Sequence, residues 1–453
     1  MKKTFTVIAL VLLAVSCNRY LDIKPYGQTI PETAEEFSAL LHAHLDEIDY
    51  GEEVVMGDGL EMADLECYAD NLAANLTQYP GGNYISLYIG EQLSAKQTLY
   101  TNLYAVIRDC NIGYLEDRSS RLGMDVLGTA YALRGICYYN LLRNFCQACN
   151  PDNPGPGVPL VTEFDMEAKP TRSTYNQTVK RIEEDLNKAI EYDIQDEIYR
   201  FNSDVAKGYL ARLYFWTQQY RLAAQYASEL LEKYPLLDAE PYKAMIGEQM
   251  AKSGNMIFKA QIYAGSSEST ALTNSKNYLK NRPCSRRFYD LFAEKERDVR
   301  FALSIDAKRL PAKNLLSCLR SAELQLILAE SYYHSDEPEK ALAALNELRR
   351  KRIADVSMQT LPPVDHDDLI QVDAKGNALT PLLYAIHCER RKELFLEGDR
   401  WYELKRNGCP EFWVAKQGLK YTTYSWMYTF PLYAPDIQLV EGLEQNPGYD
   451  KME

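Results

Sequence analysis

Two stretches of this chain repeat one another. Ala211 and Tyr214 are followed by Ala223 and Ala227, and Ala329 and Tyr332 are followed by Ala341 and Leu345. In both, twelve residues separate the first alanine from the second. Leu210 matches Leu328, and Leu230 matches Leu348. The spacing predicts two helices joined by a short turn, with small residues where the helices approach and a tyrosine filling the groove beside them. A unit of this kind buries its apolar face only by stacking on neighbours, so the chain is constrained toward a helical array.

Each unit is similar to a tetratricopeptide helix pair, and further helical patterns surround the two. Phe37, Leu40, Leu41 and Leu45 recur at three-to-four spacing, behind a capping box of Thr33 and Glu36. Leu99, Leu103, Val106, Cys110 and Tyr114 mark a helix within 94–115. Leu127, Ala130, Tyr131, Arg134, Cys137, Tyr138 and Leu141 mark an amphipathic helix over 127–145. The proline-rich run from Asn150 to Pro159 must end it, because proline removes donors and blocks helix continuation. Thr174 or Asn176 starts the next helix, through Val179, Ile182, Leu186 and Ile190. Segments 235–317 and 354–380 interrupt the repeats, and loops on a rigid helical scaffold commonly carry recognition. The fold expected is mainly α, a tetratricopeptide-like helix-pair scaffold with irregular loops.

The start of the chain addresses it to a membrane. Lys2 and Lys3 precede an almost wholly apolar run, Phe5 to Val15, too short for a permanent span. Leu13-Ala14-Val15-Ser16 leads directly to Cys17, as suits a peptidase that cleaves at a lipid-modified cysteine. A thioether-linked diacylglycerol and an N-acyl chain on Cys17 would then anchor the mature chain. Residues 1–16 are read as the lipoprotein signal, 17–32 as a lipid-anchored tether and 33–453 as the folded body. Removing 16 residues leaves 437 of 453 and takes the formal charge from −14 to −16. An acidic chain without a basic face argues against a nucleic-acid partner. The basic run Arg349-Arg350-Lys351-Arg352 lies at a helix end, where it complements the helix dipole and is expected to face water.

Little in the sequence points to catalysis. No G-x-S-x-G, H-E-x-x-H or P-loop pattern occurs. Behind Cys17 nine cysteines remain, an odd number that cannot all pair within one chain. Cys146 and Cys149 form a C-x-x-C pair without a second pair or an ordered histidine partner, so no metal or cofactor is expected. His42 and His44 are two apart and do not share a helix face. Asp365-His366-Asp367-Asp368 reads as a solvated turn. Glu389 and Glu393 could mimic a glycosidase pair, but Arg390, Arg391 and Lys392 between them favour ion pairing along the helix. Tyrosine is the unusual component, 34 against 13 Phe and 4 Trp. Its flat apolar face and polar rim serve both helix packing and recognition surfaces.

The C-terminal third carries a resemblance. The run from Ile386 through Glu389-Arg390-Arg391-Lys392-Glu393-Leu394-Phe395 and Gly398-Asp399-Arg400-Trp401-Tyr402 to Arg406 resembles the signature helix of the SusD/RagB family. That family comprises outer-membrane nutrient-binding lipoproteins of Bacteroidetes. Tyr433-Ala434-Pro435-Asp436-Ile437 and Gln445-Asn446-Pro447-Gly448-Tyr449 resemble the family's ending. So do Cys17 with Tyr20-Leu21-Asp22, the run Ala132–Tyr139, and Tyr289-Asp290-Leu291-Phe292 leading to Asp298-Val299-Arg300. Cys137 and Cys388 at core-like places, and a somewhat short chain, depart from the pattern.

The resemblance implies four tetratricopeptide-like pairs with a less regular ligand-binding portion. It also implies a cell-surface position in the outer membrane and partnership with a SusC-like TonB-dependent transporter. Such a protein captures an oligosaccharide, or in some relatives a peptide, and releases it into the transporter without making or breaking a bond. Sugar capture uses aromatic faces against C–H groups, with amides and charged groups on hydroxyls. By analogy with the family's early loops, Tyr79, Asn83, Tyr84 and Tyr88 are the candidate ligand residues, Tyr79 and Asn83 flanking the turn Pro80-Gly81-Gly82. The same tyrosines could instead only pack the loop. Trp401 reads as structural, and Trp426 fits either role. A surface glycoside hydrolase, a surface peptidase and a purely structural adaptor remain the alternatives.

Overall fold

The computed structural model describes residues 31–50, 59–73, 88–91, 93–112, 120–165, 167–248, 251–260, 273, 277, 279–355, 360–416 and 418–449. Cys17, Tyr79, Asn83 and Tyr84 lie outside them.

The helices start where local chemistry says they should. Helix α1 (Ala34–Tyr50) is opened by the expected box, with Glu36 N–H on Thr33 Oγ1 at 3.3 Å and Thr33 N–H on Glu36 Oε2 at 3.2 Å. Helix α2 (Gly59–Tyr68) and helix α3 (Lys96–Ile112) follow. Helix α4 (Arg121–Phe145) begins at the Ser120 cap. Helix α5 (Tyr175–Tyr192) begins at Thr174, through a capping box with Gln177. Helices α4 and α5 pack closely because Gly135 faces α5: a Cβ there would sit 3.1 Å from Leu186. Arg134 fixes the same interface, with Asp185 held by two bonds of 2.9 and 2.7 Å.

The two sequence repeats are two matching helix pairs. Helix α6 (Ser203–Trp216) and helix α7 (Tyr220–Lys233) form one. Beyond helix α8 (Ala239–Gly247), helix α9 (Arg286–Asp290) and helix α10 (Val299–Ser304), helix α11 (Ser321–His334) and helix α12 (Pro338–Arg352) form the other. The start and end of α6 and the start of α7 each recur 118 residues later. Even the turn is shared, since Gln218 and Asp336, also 118 apart, both adopt positive φ, 60° and 61°. Ala211, Ala223, Ala329 and Ala341 are all fully buried. The pairs stack directly, α7 lying against α11, and Arg212 joins them through Glu323 at 2.8 and 2.6 Å.

Helix α13 (Pro381–Glu393) packs on α11 and α12 and is followed by helix α14 (Asp399–Arg406) and helix α15 (Ala434–Leu439). The signature run is therefore not one helix. It breaks between Glu393 and Asp399, where Leu396 and Gly398 turn the chain with φ of 60° and 71°. Sheet is confined to antiparallel pairs: β1 (Pro156–Pro159) with β2 (Arg172–Thr174), β3 (Met256–Lys259) with β4 (Cys318–Arg320), and β5 (Phe412–Lys416) with β6 (Leu419–Thr423).

Much of the tyrosine excess is core: Tyr68, Tyr138, Tyr175, Tyr209, Tyr242 and Tyr428 are buried. Some of these rings find partners for their hydroxyls, as Tyr138 does with the Val161 carbonyl at 2.8 Å and Tyr428 with the Pro410 carbonyl at 2.9 Å. The cysteines from Cys67 to Cys409 are thiols outside any disulfide, and Cys137 and Cys388 are buried in the packing as expected.

Candidate functional site

The charged signature residues are internal. Every residue of α13 from Leu383 to Glu393 is buried, so its charges must find partners on other elements. Glu393 accepts from Arg320 on β4 at 2.7 Å, from Arg352 at the end of α12 at 3.0 Å, and from Arg300 on α10 at 3.3 Å. Arg300 also holds Glu389 at 2.6 Å and Asp298 at 2.6 Å. Burial alone would raise the Glu389 carboxyl, but Arg300 and Lys392 outweigh it and hold it at about 2. For Glu393 burial is likewise outweighed, and Arg352, Arg320 and Arg300 keep it far below the carboxylate range. A glycosidase acid needs a raised pKa and access to substrate. This pair has neither.

Three expectations change here. The ion pairing runs between elements, apart from Lys392 on Glu389 at 2.6 Å, rather than along the helix. The run Arg349–Arg352 does not all face water: Arg349 and Arg352 are buried, because Glu393 and the Leu237 carbonyl need the Arg352 guanidinium inside. The acidic turn is solvated at Asp365–Asp367, but Asp368 is drawn in by Arg391 and Arg400, at 3.2 and 3.1 Å. Those arginines share Asp70, which ties the end of α2 to α13 and α14.

Carboxyls with raised pKa do occur: partial burial lifts Glu183 on α5 and Asp436, and the larger shifts are inside. Burial lifts Glu66 to about 7, against the Gly398 N–H that it accepts at 2.9 Å, and lifts Asp399 to about 6 beside Arg390. The nearby cavity, lined by Asp399, Arg143, Arg212 and Tyr402, measures about 70 Å³, too small for a sugar ring. Glu330, His387 and Glu403 converge closely enough to suit a cation. The guanidinium of Arg406 occupies that position, bonded to Glu330 at 2.6 and 3.0 Å and to Glu403 at 3.0 Å. An open groove of about 1050 Å³ runs along α5 and Phe164, and one of about 670 Å³ lies between α9 and α13. Both are lined by acids and bases in comparable measure.

The surface feature that stands apart is the β5–β6 hairpin. Its strands pair in register from Phe412 with Thr423 to Lys416 with Leu419, turning at Gly418, whose φ is 78°. Trp413 is 57% exposed and Tyr424 45%, and Leu419 is exposed at the tip. Tyr421 meets Tyr88, their ring centroids 4.9 Å apart. On the opposite face the Lys420 ammonium sits 5.2 Å from the Trp413 ring centroid.

The base of the hairpin is anchored. The Ser425 N–H donates to Glu411, and the Tyr428 hydroxyl donates to the Pro410 carbonyl at 2.9 Å. Buried Trp401 stacks on Tyr428 at 4.4 Å, which is the structural role expected of it. Trp426 lies parallel to Tyr424 and edge-on to Tyr449, on the backbone of Gly448. The chain ending serves the same base: Asn446 donates to the carbonyls of Phe145 and Phe430, and Gln445 exchanges two bonds with Leu432. Lys405 is buried beneath, donating to the carbonyls of Arg143, Asn144 and Cys146 at the end of α4. Burial pushes its ammonium down to about 7.

Of the four candidate ligand residues, Tyr88 is described, and it lies against the hairpin. Sequence reasoning missed Trp413, Lys420, Tyr421 and Tyr424. Their signal was present: two short runs rich in aromatic and β-branched residues around a glycine read as a hairpin.

Stacked helix pairs with an aromatic hairpin at the surface define a mainly α-helical repeat scaffold. The chain belongs to the SusD/RagB superfamily. Residues 19–215 match the SusD-like family described as "Starch-binding associating with outer membrane", and residues 242–449 match the SusD family. No curated protein matches the chain in sequence. Among solved structures, a SusD superfamily protein from Bacteroides vulgatus is 22% identical, with a TM-score of 0.70 over 92% of this chain and 99% of that one. A SusD superfamily protein from Bacteroides fragilis is 19% identical, with a TM-score of 0.69 over 92% and 100%. A SusD-like carbohydrate binding protein from Bacteroides vulgatus is 19% identical, with a TM-score of 0.67 over 91% and 98%. At these identities the likeness speaks for the fold.

Proposed function

We propose that this chain is a cell-surface nutrient-binding lipoprotein that captures an oligosaccharide and delivers it to a SusC-like TonB-dependent outer-membrane transporter. Residues 1–16 are the export signal, Cys17 carries the lipid, 17–32 form the tether, and the body from residue 33 performs the capture. No covalent step is involved. The observation that carries the reading is the aromatic hairpin, with exposed Trp413 and Tyr424 and, on the ribbon face opposite Trp413, half-buried Tyr421 against Tyr88, on a chain of this superfamily. Flat, partly exposed rings offer sugar C–H faces a stacking surface at little rotamer cost. Tyr79, Asn83 and Tyr84 precede Tyr88 closely in the chain and are proposed as ligand residues with it. A structural relative described as a carbohydrate binding protein supports the ligand class.

Glycan-array screening of the soluble chain from residue 18, followed by calorimetry on the hits, tests the reading. Binding without turnover, weakened at least about tenfold in W413A/Y421A, is the expected result. Hydrolysis of the bound glycan would overturn it in favour of an enzyme. Unchanged binding both in that variant and after joint replacement of Tyr79, Tyr84 and Tyr88 by Ala would remove the proposed face. Copurification of the lipidated protein with an outer-membrane transporter tests the partner.

A further inference from the structure

The hairpin carries a charge that no carboxylate among the described residues pairs. Residues 412–424 contain Lys416 and Lys420 and no acid, in a chain of formal charge −14. Some lysines at or near the surface hold carboxylates, as Lys188 does Glu191 at 2.6 Å, Lys243 Glu240 at 2.6 Å, and Lys351 Asp238 at 2.7 Å. Lys420 has no carboxylate partner among the described residues. The acid next to the hairpin, Glu411, accepts the Ser425 N–H at 3.1 Å instead.

Register places this charge beside the exposed indole. Trp413 pairs with Thr422 and Ala415 with Lys420, so Trp413 and Lys420 are diagonal neighbours on one face of the ribbon. The ammonium rests 5.2 Å from the ring centroid. A cation–π contact at an exposed site is weak, so a better partner draws the ammonium away readily. The negative charge of the body is screened within about 8 Å at physiological ionic strength, so charge within contact range of the ligand decides.

We propose that the captured glycan is anionic through carboxylates: a uronic-acid unit stacks on Trp413 while its carboxylate takes the Lys420 ammonium. The proposal rests on the hairpin being the capture face. A uronate carboxyl projects from the edge of the sugar ring, so stacking on the indole brings it to where the ammonium already lies. A sulfated sugar offers the same charge on a longer arm and is the comparison that separates the two.

The experiment is calorimetry of the soluble chain with galacturonate, glucuronate and mannuronate trimers, each trimer's methyl ester, and a sulfated galactan trimer. At least one acid trimer is expected to bind about threefold to tenfold tighter than its ester in low salt, the advantage shrinking as salt is added. In K420Q the ratio of the two Kd values should fall toward one, and K420R should keep it. Equal affinity of every acid and its ester, or an undiminished ratio in K420Q, overturns the carboxylate assignment. Tighter binding of the sulfated trimer than of any uronate overturns it in favour of sulfate. Those outcomes leave the capture face standing if W413A and Y421A still lose binding. Wild-type affinity of W413A and Y421A for every trimer removes the face itself.

Discussion

Replacing Glu393 by Gln should destabilise the protein by about 3–5 kcal/mol, the range for removing one partner of a buried ion pair. Glu393 is fully buried and takes bonds from three arginines, each no more than 1% exposed at the side chain. Two of the three have other carboxylates: Arg300 keeps Asp298 and Glu389, and Arg320 keeps Glu397 at 2.8 Å. Arg352 keeps none among the described residues and is left with the Leu237 carbonyl at 2.9 Å and the face of Tyr242. The loss is thus concentrated in one stranded guanidinium. R352M should cost less than E393Q, since Arg300 and Arg320 still satisfy Glu393. The double variant should be more stable than the sum of the two losses implies, with a coupling of about 1–3 kcal/mol. Urea unfolding of the soluble chain, followed by far-UV circular dichroism, supplies all four corners of the cycle. An E393Q loss below about 1 kcal/mol, or additivity within about 0.5 kcal/mol, would refute the reasoning.

Glu66 makes stability depend on pH. Its folded pKa of about 7 lies above the ordinary 4.5, so the folded state holds a proton that the unfolded chain has released. The associated stability, roughly 3 kcal/mol, is present below pH 4.5 and lost as pH rises to about 7. E66Q keeps an acceptor for the Gly398 N–H and should flatten that part of the profile; an unchanged slope of urea midpoint between pH 5 and 8 would contradict this. Gly448 has φ of 97° and an added Cβ would lie 2.6 Å from the Trp426 ring, so G448A should cost about 1–3 kcal/mol, read as a lowered thermal midpoint. W413A should leave that midpoint within about 1 °C, because its ring is mostly in solvent, while it weakens glycan binding. For a short glycan the wild-type Kd should fall at about 0.1–10 mM, since a few exposed rings each add on the order of 1 kcal/mol against the cost of ordering the ligand. A nanomolar Kd would mean that the site is enclosed elsewhere.

The helix starts at Thr33 and Thr174 and the paired helices around Ala211 and Ala329 were legible because capping and small-residue spacing act within a few residues. The charged run 389–393 misled for the same reason. Spacing of three and four suggests local pairs, whereas the partners of Glu393 are 41, 73 and 93 residues away. A run of charges carries no mark of burial, and only the all-round packing of α13 turns it into a core. The same applies to Arg352, whose neighbours Arg350 and Lys351 remain at or near the surface. The break after Glu393 was hidden because Leu396, a good helix former, takes the positive φ. Tyr88 was proposed from the family resemblance, and its contact with Tyr421 bridges more than 300 residues, beyond any local rule.

On the proposed function, the distribution of charge and aromatic surface suits capture followed by release. Asp70 and Glu393 each collect arginines from separate elements, and Glu330 holds Arg406 from α14, so the body under the hairpin is fixed by bonds between its buried charges. None of that binding capacity is left for a ligand. What faces outward is a ribbon with rings on its surface and a lysine that no described carboxylate pairs, anchored by Tyr428, Glu411 and the chain ending. A ligand on such a face contacts one side only and gives up little water, so it leaves quickly. A deep polar pocket built from the interior arginines would hold a sugar far more tightly, and would make transfer to a second protein slow. Locking those arginines away from solvent and presenting rings at the rim therefore favours hand-over, at the expense of affinity.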